Sequence, residues 1–244
     1  RRHRPAHLIW VMPAEEAIMV NTSLIFAGGL APSDSTLLAV RKVEQVELVI
    51  AADSGLHTAQ KLGLRVDAII GDMDSVNSNA LAEAKSHGAK IIQHDRDKNF
   101  TDLHLALLYA AECGTEKIVV VTAGGGRLDH QLGVIAAMFD PLLGLLQVKA
   151  LWDSSEIFAL QGSTSCEFSS EVDDIIGLQA FSATVMGIST TGLRWQLHNE
   201  KLENHETRGV SNQATQTRVS VSVLSGQLLV IHQIKIHLNK GTTK

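Results

Sequence analysis

Between residues 23 and 139, short apolar runs alternate with stretches of helical periodicity. This rhythm, more than any other feature, limits what the chain can become. Residues 23–27, 47–52, 67–70, 89–93 and 117–121 read as strands, each too short for a helix and most of them bounded by glycine or aspartate. Helical patterns follow at 35–43, between Asp53 and Gly63, and at 79–87, 102–113 and 129–139. Ser78 and Thr101 stand where N-caps belong, and Gly88 and Gly114 close the helices they follow. Strands alternating with helices imply a mostly parallel sheet with helices on both faces. In such a sheet the carboxyl ends of the strands share one rim, and ligands bind outside it.

Beyond about residue 150 helical periodicity fades. Strand-like runs stand at 157–160, 175–181 and 183–186. The segment Val219-Ser220-Val221-Ser222-Val223 alternates strictly, as a strand does when one face is buried. Ser225-Gly226 is a turn signal and Leu228-Leu229-Val230-Ile231 returns, which predicts a hairpin. The expected organisation is an α/β domain over residues 21–150, a mostly parallel sheet flanked by helices, followed by an all-β sandwich domain over 151–244. Residues 1–20 are expected to form a loosely ordered leader. Arg1-Arg2-His3-Arg4 and Leu8-Ile9-Trp10-Val11-Met12 resemble a signal peptide, but the apolar stretch is short and Glu15-Glu16 follow it. Met19 is a candidate natural start.

Aspartates gather where the predicted strands end. Asp53 follows 47–52, and Gly71-Asp72-Met73-Asp74-Ser75 follows 67–70. Asp102 opens the helix after 89–93, and Asp129 follows the fifth strand and a glycine run. Carboxylates on one rim repel one another unless a cation lies among them. Hard ions such as Mg²⁺ take oxygen ligands, usually one or two carboxylates plus substrate phosphates. The pattern therefore points to metal-dependent nucleotide chemistry. A lone Asp-x-Asp reads more readily as an Asx-turn, and Thr101-Asp102 as an ordinary helix start; the shared rim shifts the balance towards metal. Lys98, in the mixed-charge loop Asp95-Arg96-Asp97-Lys98, is suited to neutralise phosphate oxygens. Gly124-Gly125-Gly126-Arg127 offers backbone N–H groups at a helix N-terminus together with a fork-shaped cation, again suited to phosphate. It is not a P-loop, because no Gly-x-x-x-x-Gly-Lys-Ser/Thr occurs. His130, one of 11 histidines, is read as structural.

Composition excludes other classes. A net charge of −5 without a basic block gives no nucleic-acid surface. No apolar run approaches the roughly 18–20 residues that span a bilayer. Cys113 and Cys166 are the only cysteines, too few for a disulfide framework, so both are expected as packing residues in a reducing cytosol.

Six short pieces, in order, resemble the thiamine pyrophosphokinase family: Ala51-Ala52-Asp53-Ser54-Gly55, Gly71-Asp72-Met73-Asp74-Ser75, Thr101-Asp102, Gly125-Gly126-Arg127-Leu128-Asp129-His130, Thr191-Gly192-Leu193-Arg194-Trp195 and Gly209-Val210-Ser211-Asn212. The resemblance runs from about Leu24 to Ile231. It implies an α/β catalytic domain, a C-terminal β-sandwich, and a homodimer with active sites at the subunit interface. The implied reaction takes thiamine and ATP, with Mg²⁺, to thiamine pyrophosphate and AMP. Asp72, Asp74 and Asp102 would be the metal and phosphate-site carboxylates, and Asp129 would lie near the transferred group or the thiamine hydroxyl. Either Asp102 or Asp129 would accept the hydroxyl proton. Arg127, Lys98 and Thr101 would serve the phosphates, and Asp53 would be a nucleotide-side residue rather than a ligand. Trp195, Ser211 and Asn212 would hold thiamine, with the Trp195 indole attracting its ring cation and the Asn212 amide pairing with its aminopyrimidine.

The sequence departs from the family pattern at Asn99, where an acidic residue is common, at Thr122, where glycine is usual, and at Gln196, where proline is frequent. None removes one of the carboxylates above. Two other readings share these motifs: a pyrophosphokinase of another heterocyclic alcohol, pterin-like, and a non-enzymatic sensor of thiamine or its pyrophosphate.

Overall fold

The computed structural model describes residues 20–144 and 146–234. The leader expected over residues 1–20 lies outside them, apart from Val20. In chain order the elements of the first half are β1 (Val20–Phe26), α1 (Asp34–Val40), β2 (Val46–Ala52), α2 (Gly55–Lys61), β3 (Ala68–Gly71), α3 (Ser78–Ser86), β4 (Lys90–Gln93), α4 (Asp102–Glu112), β5 (Thr115–Thr122) and α5 (Leu128–Met138). The second half carries β6 (Gln147–Trp152), β7 (Ser155–Gln161), β8 (Thr164–Ser169), β9 (Ile175–Ala180), β10 (Thr184–Thr191), β11 (Glu200–Glu203), β12 (Asn212–Gln213), β13 (Arg218–Val223) and β14 (Gln227–Gln233).

One ten-stranded sheet runs through both halves in the order β12-β9-β14-β7-β6-β5-β1-β2-β3-β4. From β6 to β4 all neighbours are parallel. From β6 outwards to β12 they are antiparallel. The central parallel strands are buried on both faces along much of their length, so their sequences carry apolar runs. Successive side chains of β1 enter opposite cores: Leu24 and Phe26 pack with Val49 and Ile69 on one face, and Ile25 packs with Leu107 and Val120 on the other. Helix α4 supplies much of the second core, burying Leu103, Ala106, Leu107 and Ala110 at helical spacing. Its start is fixed by Thr101, whose Oγ1 accepts the His104 N–H at 3.2 Å, a cap that contributes on the order of 1 kcal/mol. At α3 the cap is Asn77 rather than the expected Ser78. Asn77 Oδ1 accepts the N–H groups of Asn79 and Ala80, and Ser78 is already helical.

A second sheet, β11-β10-β13-β8, covers the antiparallel end of the first. The sandwich core includes Phe158, Phe168, Ile176, Val185, Val221 and Val230. The boundary expected near residue 150 falls inside β6, because the central sheet continues across it. The expected hairpin is corrected. β13 pairs with β8 and β10, whereas β14 pairs with β7 and β9, so the Ser225-Gly226 turn carries the chain from one layer to the other. Strict alternation in β13 reported one buried face correctly, but both layers bury a face in the same core.

A buried ionic network ties β7, β9 and β14 together. His232 Nε2 lies 2.8 Å from Asp174 Oδ2. Glu156 Oε2 lies 3.6 Å from Nδ1, beyond hydrogen-bond length, and Glu156 is itself paired with Lys149 at 3.1 Å. Burial pushes the imidazole towards its neutral form, but the two carboxylates outweigh it and its pKa rises above the usual 6.5. For Glu156, burial is likewise outweighed, by His232 and Lys149, and its pKa falls below 4.5. The His232 contribution to stability is complete below pH 6.5 and is lost as pH rises through the raised value. That of Glu156 is complete above pH 4.5 and is lost as pH falls through the lowered value. The melting-temperature gap between wild type and His232→Gln should therefore be widest between pH 4.5 and 6.5 and narrow towards alkaline pH. A gap that ignores pH would refute this account.

Candidate active site

Strands β1 to β4 step outwards in sequence order, after which the chain returns to place β5 on the other side of β1. That reversal makes a topological switch point between β1 and β5, where an open α/β sheet leaves a crevice at its carboxyl rim. A cleft of about 530 Å³ lies there, within the range of small-ligand sites. Gly28, Asp53, Thr101, Asp102, Gly124 and Arg127 are among its walls.

At one end stand the carboxylates. Oxygens of Asp53, Asp72 and Asp74 lie within 4.8 Å of one another. The backbone brings them together through unusual local conformations. Asp53 sits at φ 48°, and its N–H donates to Ile70 O at 2.9 Å, which binds the end of β2 to β3. A Cβ on Gly71 would lie 3.2 Å from both Asp53 Cβ and Asp102 Cγ, so glycine lets these side chains close over the end of β3. Asp72 Oδ1 accepts the Asp74 N–H at 3.1 Å, an Asx-turn. That N–H bond leads the lowering of the Asp72 pKa, while the charge of Asp72 leads the raising of the Asp74 pKa. Ser75 Oγ donates to Asp53 Oδ2. Asp53 Oδ1, in contrast, is buried with no hydrogen-bond partner among the described residues. Carboxylate oxygens of three residues within 4.8 Å of one another, with an orphaned buried oxygen on Asp53, fit a divalent cation such as Mg²⁺.

The grouping differs from the expected set of Asp72, Asp74 and Asp102 by including Asp53. Asp53 joins Asp72 and Asp74, because β2 and β3 are neighbours and the left-handed conformation of Asp53 turns its side chain onto the shared rim. Asp102 stands beside them but its Oδ1 is 3.0 Å from Lys98 Nζ. Lys98, expected at phosphate, is thus engaged with a carboxylate, and it also donates to Asp95 O at 3.2 Å. Thr101 lines the cleft, although its hydroxyl oxygen is occupied as the α4 cap.

On the opposite wall the glycine run follows β5. Gly124, Gly125 and Gly126 all adopt positive φ, between 63° and 72°. Arg127 donates twice to Asp129, at 3.1 and 2.5 Å. This pairing, first among the causes, holds the Asp129 pKa below the usual carboxylate range. Asp129 is not among the cleft-lining residues, whereas His130, read from sequence as structural, is. At the start of α5 one residue turns the side chain by about a quarter of a helical turn, so the residue facing the cleft is His130 and not its acidic neighbour. Trp152, at the end of β6, also lines the cleft and carried no sequence signal.

The three residues expected to hold the acceptor, Trp195, Ser211 and Asn212, share a second cleft of about 550 Å³ in the sandwich, with Leu178 and Arg208. Trp195 is 56% exposed, and the Arg194 guanidinium lies 4.9 Å from its ring centroid. Ser211 turns the chain at φ 61°. The Asn212 amide is held by the backbone. Its Oδ1 accepts from Trp195 N at 3.1 Å and from Gln213 N at 2.9 Å, and its Nδ2 donates to Trp195 O at 2.7 Å. It is a buried clamp on the backbone that carries the indole. The two clefts share no lining residue. Asn212 is on β12, five strands along the sheet from β5, a separation of about 24 Å at the usual strand spacing.

Comparisons with known proteins agree with this division. The thiamin pyrophosphokinase catalytic-domain family matches residues 40–148, and the thiamin pyrophosphokinase vitamin B1 binding-domain family matches residues 165–228. A thiamine pyrophosphokinase from Bacillus subtilis is 26% identical over 187 residues, covering 75% of this chain and 86% of its own length. Thiamine pyrophosphokinase 1 from Oryza sativa subsp. japonica is 28% identical over 171 residues, and the match spans 66% of this chain but only 64% of the rice protein. Among solved structures, the Bacillus subtilis thiamine pyrophosphokinase superposes with a TM-score of 0.74 at 25% identity, covering 88% of this chain and all of that one. The yeast enzyme, at 14% identity and a TM-score of 0.68, shares the fold over 90% of this chain and 87% of its own.

Proposed function

This chain belongs to the thiamin pyrophosphokinase family, and from that premise we propose that it transfers pyrophosphate from ATP to the hydroxyl of thiamine, giving thiamine pyrophosphate and AMP. The observation that carries the reading is the carboxylate cluster with its unpartnered Asp53 oxygen, set at the switch-point crevice of a parallel sheet. Asp53, Asp72 and Asp74 would hold Mg²⁺, with Asp102 beside them. Bound there, the ion supplies positive charge to the phosphate oxygens.

The remaining work falls to positioning and electrostatics, as in other phosphoryl transfers. The thiamine hydroxyl oxygen bonds to the β-phosphorus, the bond from that phosphorus to the bridging oxygen breaks, and AMP departs with that oxygen. The Gly125 and Gly126 N–H groups would face the phosphates, with the Arg127 guanidinium, held by Asp129, beside them. The hydroxyl proton passes to a cleft-lining group. Asp102, which lines the cleft, suits this better than Asp129, which does not and whose two oxygens Arg127 occupies. The exposed Trp195 indole offers an aromatic face to the thiamine cation.

The separation of the two clefts favours a homodimer in which the sandwich of one copy completes the rim of the other. The unpaired thiols Cys113 and Cys166, the latter pushed up to about 12 by burial, suit the reducing cytosol we propose for it.

The test is product analysis. Purified protein given thiamine, ATP and Mg²⁺ should release AMP and thiamine pyrophosphate in equal amounts, and should turn over thiamine in preference to a hydroxymethyl pterin. ADP without AMP would refute the reading. A companion prediction concerns the clamp. Asn212→Leu leaves the Trp195 backbone N–H and C=O unpaired, at roughly 1–3 kcal/mol each, and should raise KM for thiamine about tenfold while leaving KM for ATP unchanged. Equal rises in both would refute the clamp.

A further inference from the structure

The nucleotide cleft has two unlike ends. Its carboxylates gather at β2 and β3, while its apolar walls lie at β6, at α5 and in the loop after β1, where Trp152, Val134 and Leu30 line it. Trp152 ends β6 opposite Thr122 of β5. The indole lies directly on the glycine run: a Cβ on Gly124 would be 1.9 Å from its Nε1. Leu30, 63% exposed, stands over the next residue, since a Cβ on Gly125 would lie 3.1 Å from its Cδ1. Thr122 fixes the start of this run by accepting the Gly124 N–H at 3.2 Å. Trp152 and Leu30 therefore bracket Gly124-Gly125 at the cleft end remote from the carboxylates.

We propose that Trp152 is the platform on which the base of the bound nucleotide lies, with Leu30 facing it. The inference rests on the ATP reading given above. β6 is three strands from β2, about 14 Å along the rim. A nucleotide with its phosphates at the carboxylates and over the glycine N–H groups carries its base towards β6. An indole face binds a base by stacking, which depends on the extent of the ring and not on a hydrogen-bonding edge. The residue is therefore a specificity determinant: it favours a nucleoside triphosphate over a bare polyphosphate.

The experiment is calorimetric titration of the full chain with Mg-ATP and with Mg-tripolyphosphate. Trp152→Leu fills most of the volume without a π-face, and Trp152→Phe retains one. Trp152→Leu should weaken ATP binding about tenfold or more. Trp152→Phe should stay close to wild type, and tripolyphosphate should bind all three proteins alike. ATP binding unchanged in Trp152→Leu would overturn the proposal. So would an equal loss for ATP and tripolyphosphate, which marks a purely structural role. A wild-type protein that binds tripolyphosphate but not ATP would refute the ATP reading itself, and this inference with it.

Discussion

Asp53→Asn should lower turnover by about 10²–10³-fold, the range seen when one preorganised charge-stabilising group is removed from a phosphate or oxyanion site. The substitution keeps the shape. Asn tolerates the left-handed backbone that Asp53 adopts at φ 48°, and an amide oxygen still accepts from Ser75. What disappears is the negative charge at the buried, unpartnered Oδ1. In the absence of a cation the three carboxylates repel one another, as the raised pKa of Asp74 records. Removing one charge should therefore leave the melting temperature without Mg²⁺ equal to or above wild type, a stability gained at a site that function keeps strained. The measurement is turnover at saturating ATP and thiamine over a Mg²⁺ series, alongside melting curves with and without the ion. A variant with wild-type rate and wild-type Mg²⁺ dependence would show that the cluster is not the metal site.

The rim of aspartates was legible in the sequence because parallel strands share a polarity. Any aspartate just after such a strand reaches the same edge, whatever the strand order. Membership of the cluster was not legible. Asp53 belongs because β2 and β3 are neighbours and its own backbone is left-handed, and neither fact is written in local periodicity. The same limit explains the β13–β14 misreading: alternation marks one buried face but does not name the layer it faces. The boundary near residue 150 marks where helices stop; periodicity does not show that β6 continues the parallel sheet past that point and that β7 turns it antiparallel. At the sites, residue type foretold chemistry better than direction. An amide was expected at Asn212 and one is there, but it grips the Trp195 backbone. At Asp129 the acid is paired through both oxygens with Arg127, and its neighbour His130 lines the cleft, a direction that residue type does not give. Trp152 gave no signal, because a tryptophan that ends an apolar strand looks like core until the glycine beneath it is seen.

Mixing two impaired variants, assayed with thiamine well below the KM of the sandwich variant, should restore activity. Asp53→Asn damages the carboxylate end, and the double substitution Trp195→Ala with Asn212→Leu damages the sandwich cleft. Within one chain Asp53, at the end of β2, and Asn212, on β12, lie seven strands apart in a single sheet, about 34 Å at the usual spacing. One thiamine molecule docked in the sandwich cleft cannot present its hydroxyl to a phosphate bound that far away. On the homodimer proposed above, the reaction centre takes the rim from one copy and the sandwich from the other. In a two-fold dimer each active site then combines the rim of one chain with the sandwich of the other. A mixed dimer of the two variants carries both lesions in one site and neither in the other. Random exchange of equal amounts thus leaves about a quarter of all sites intact, and turnover should rise from near zero to about a quarter of wild type. Exchange is driven by mild denaturation and refolding of the mixture, with each variant refolded alone as control. Activity that stays at background, while size measurement confirms that mixed dimers have formed, would mean that each chain works with its own sandwich and that the two clefts approach by a rearrangement within one copy.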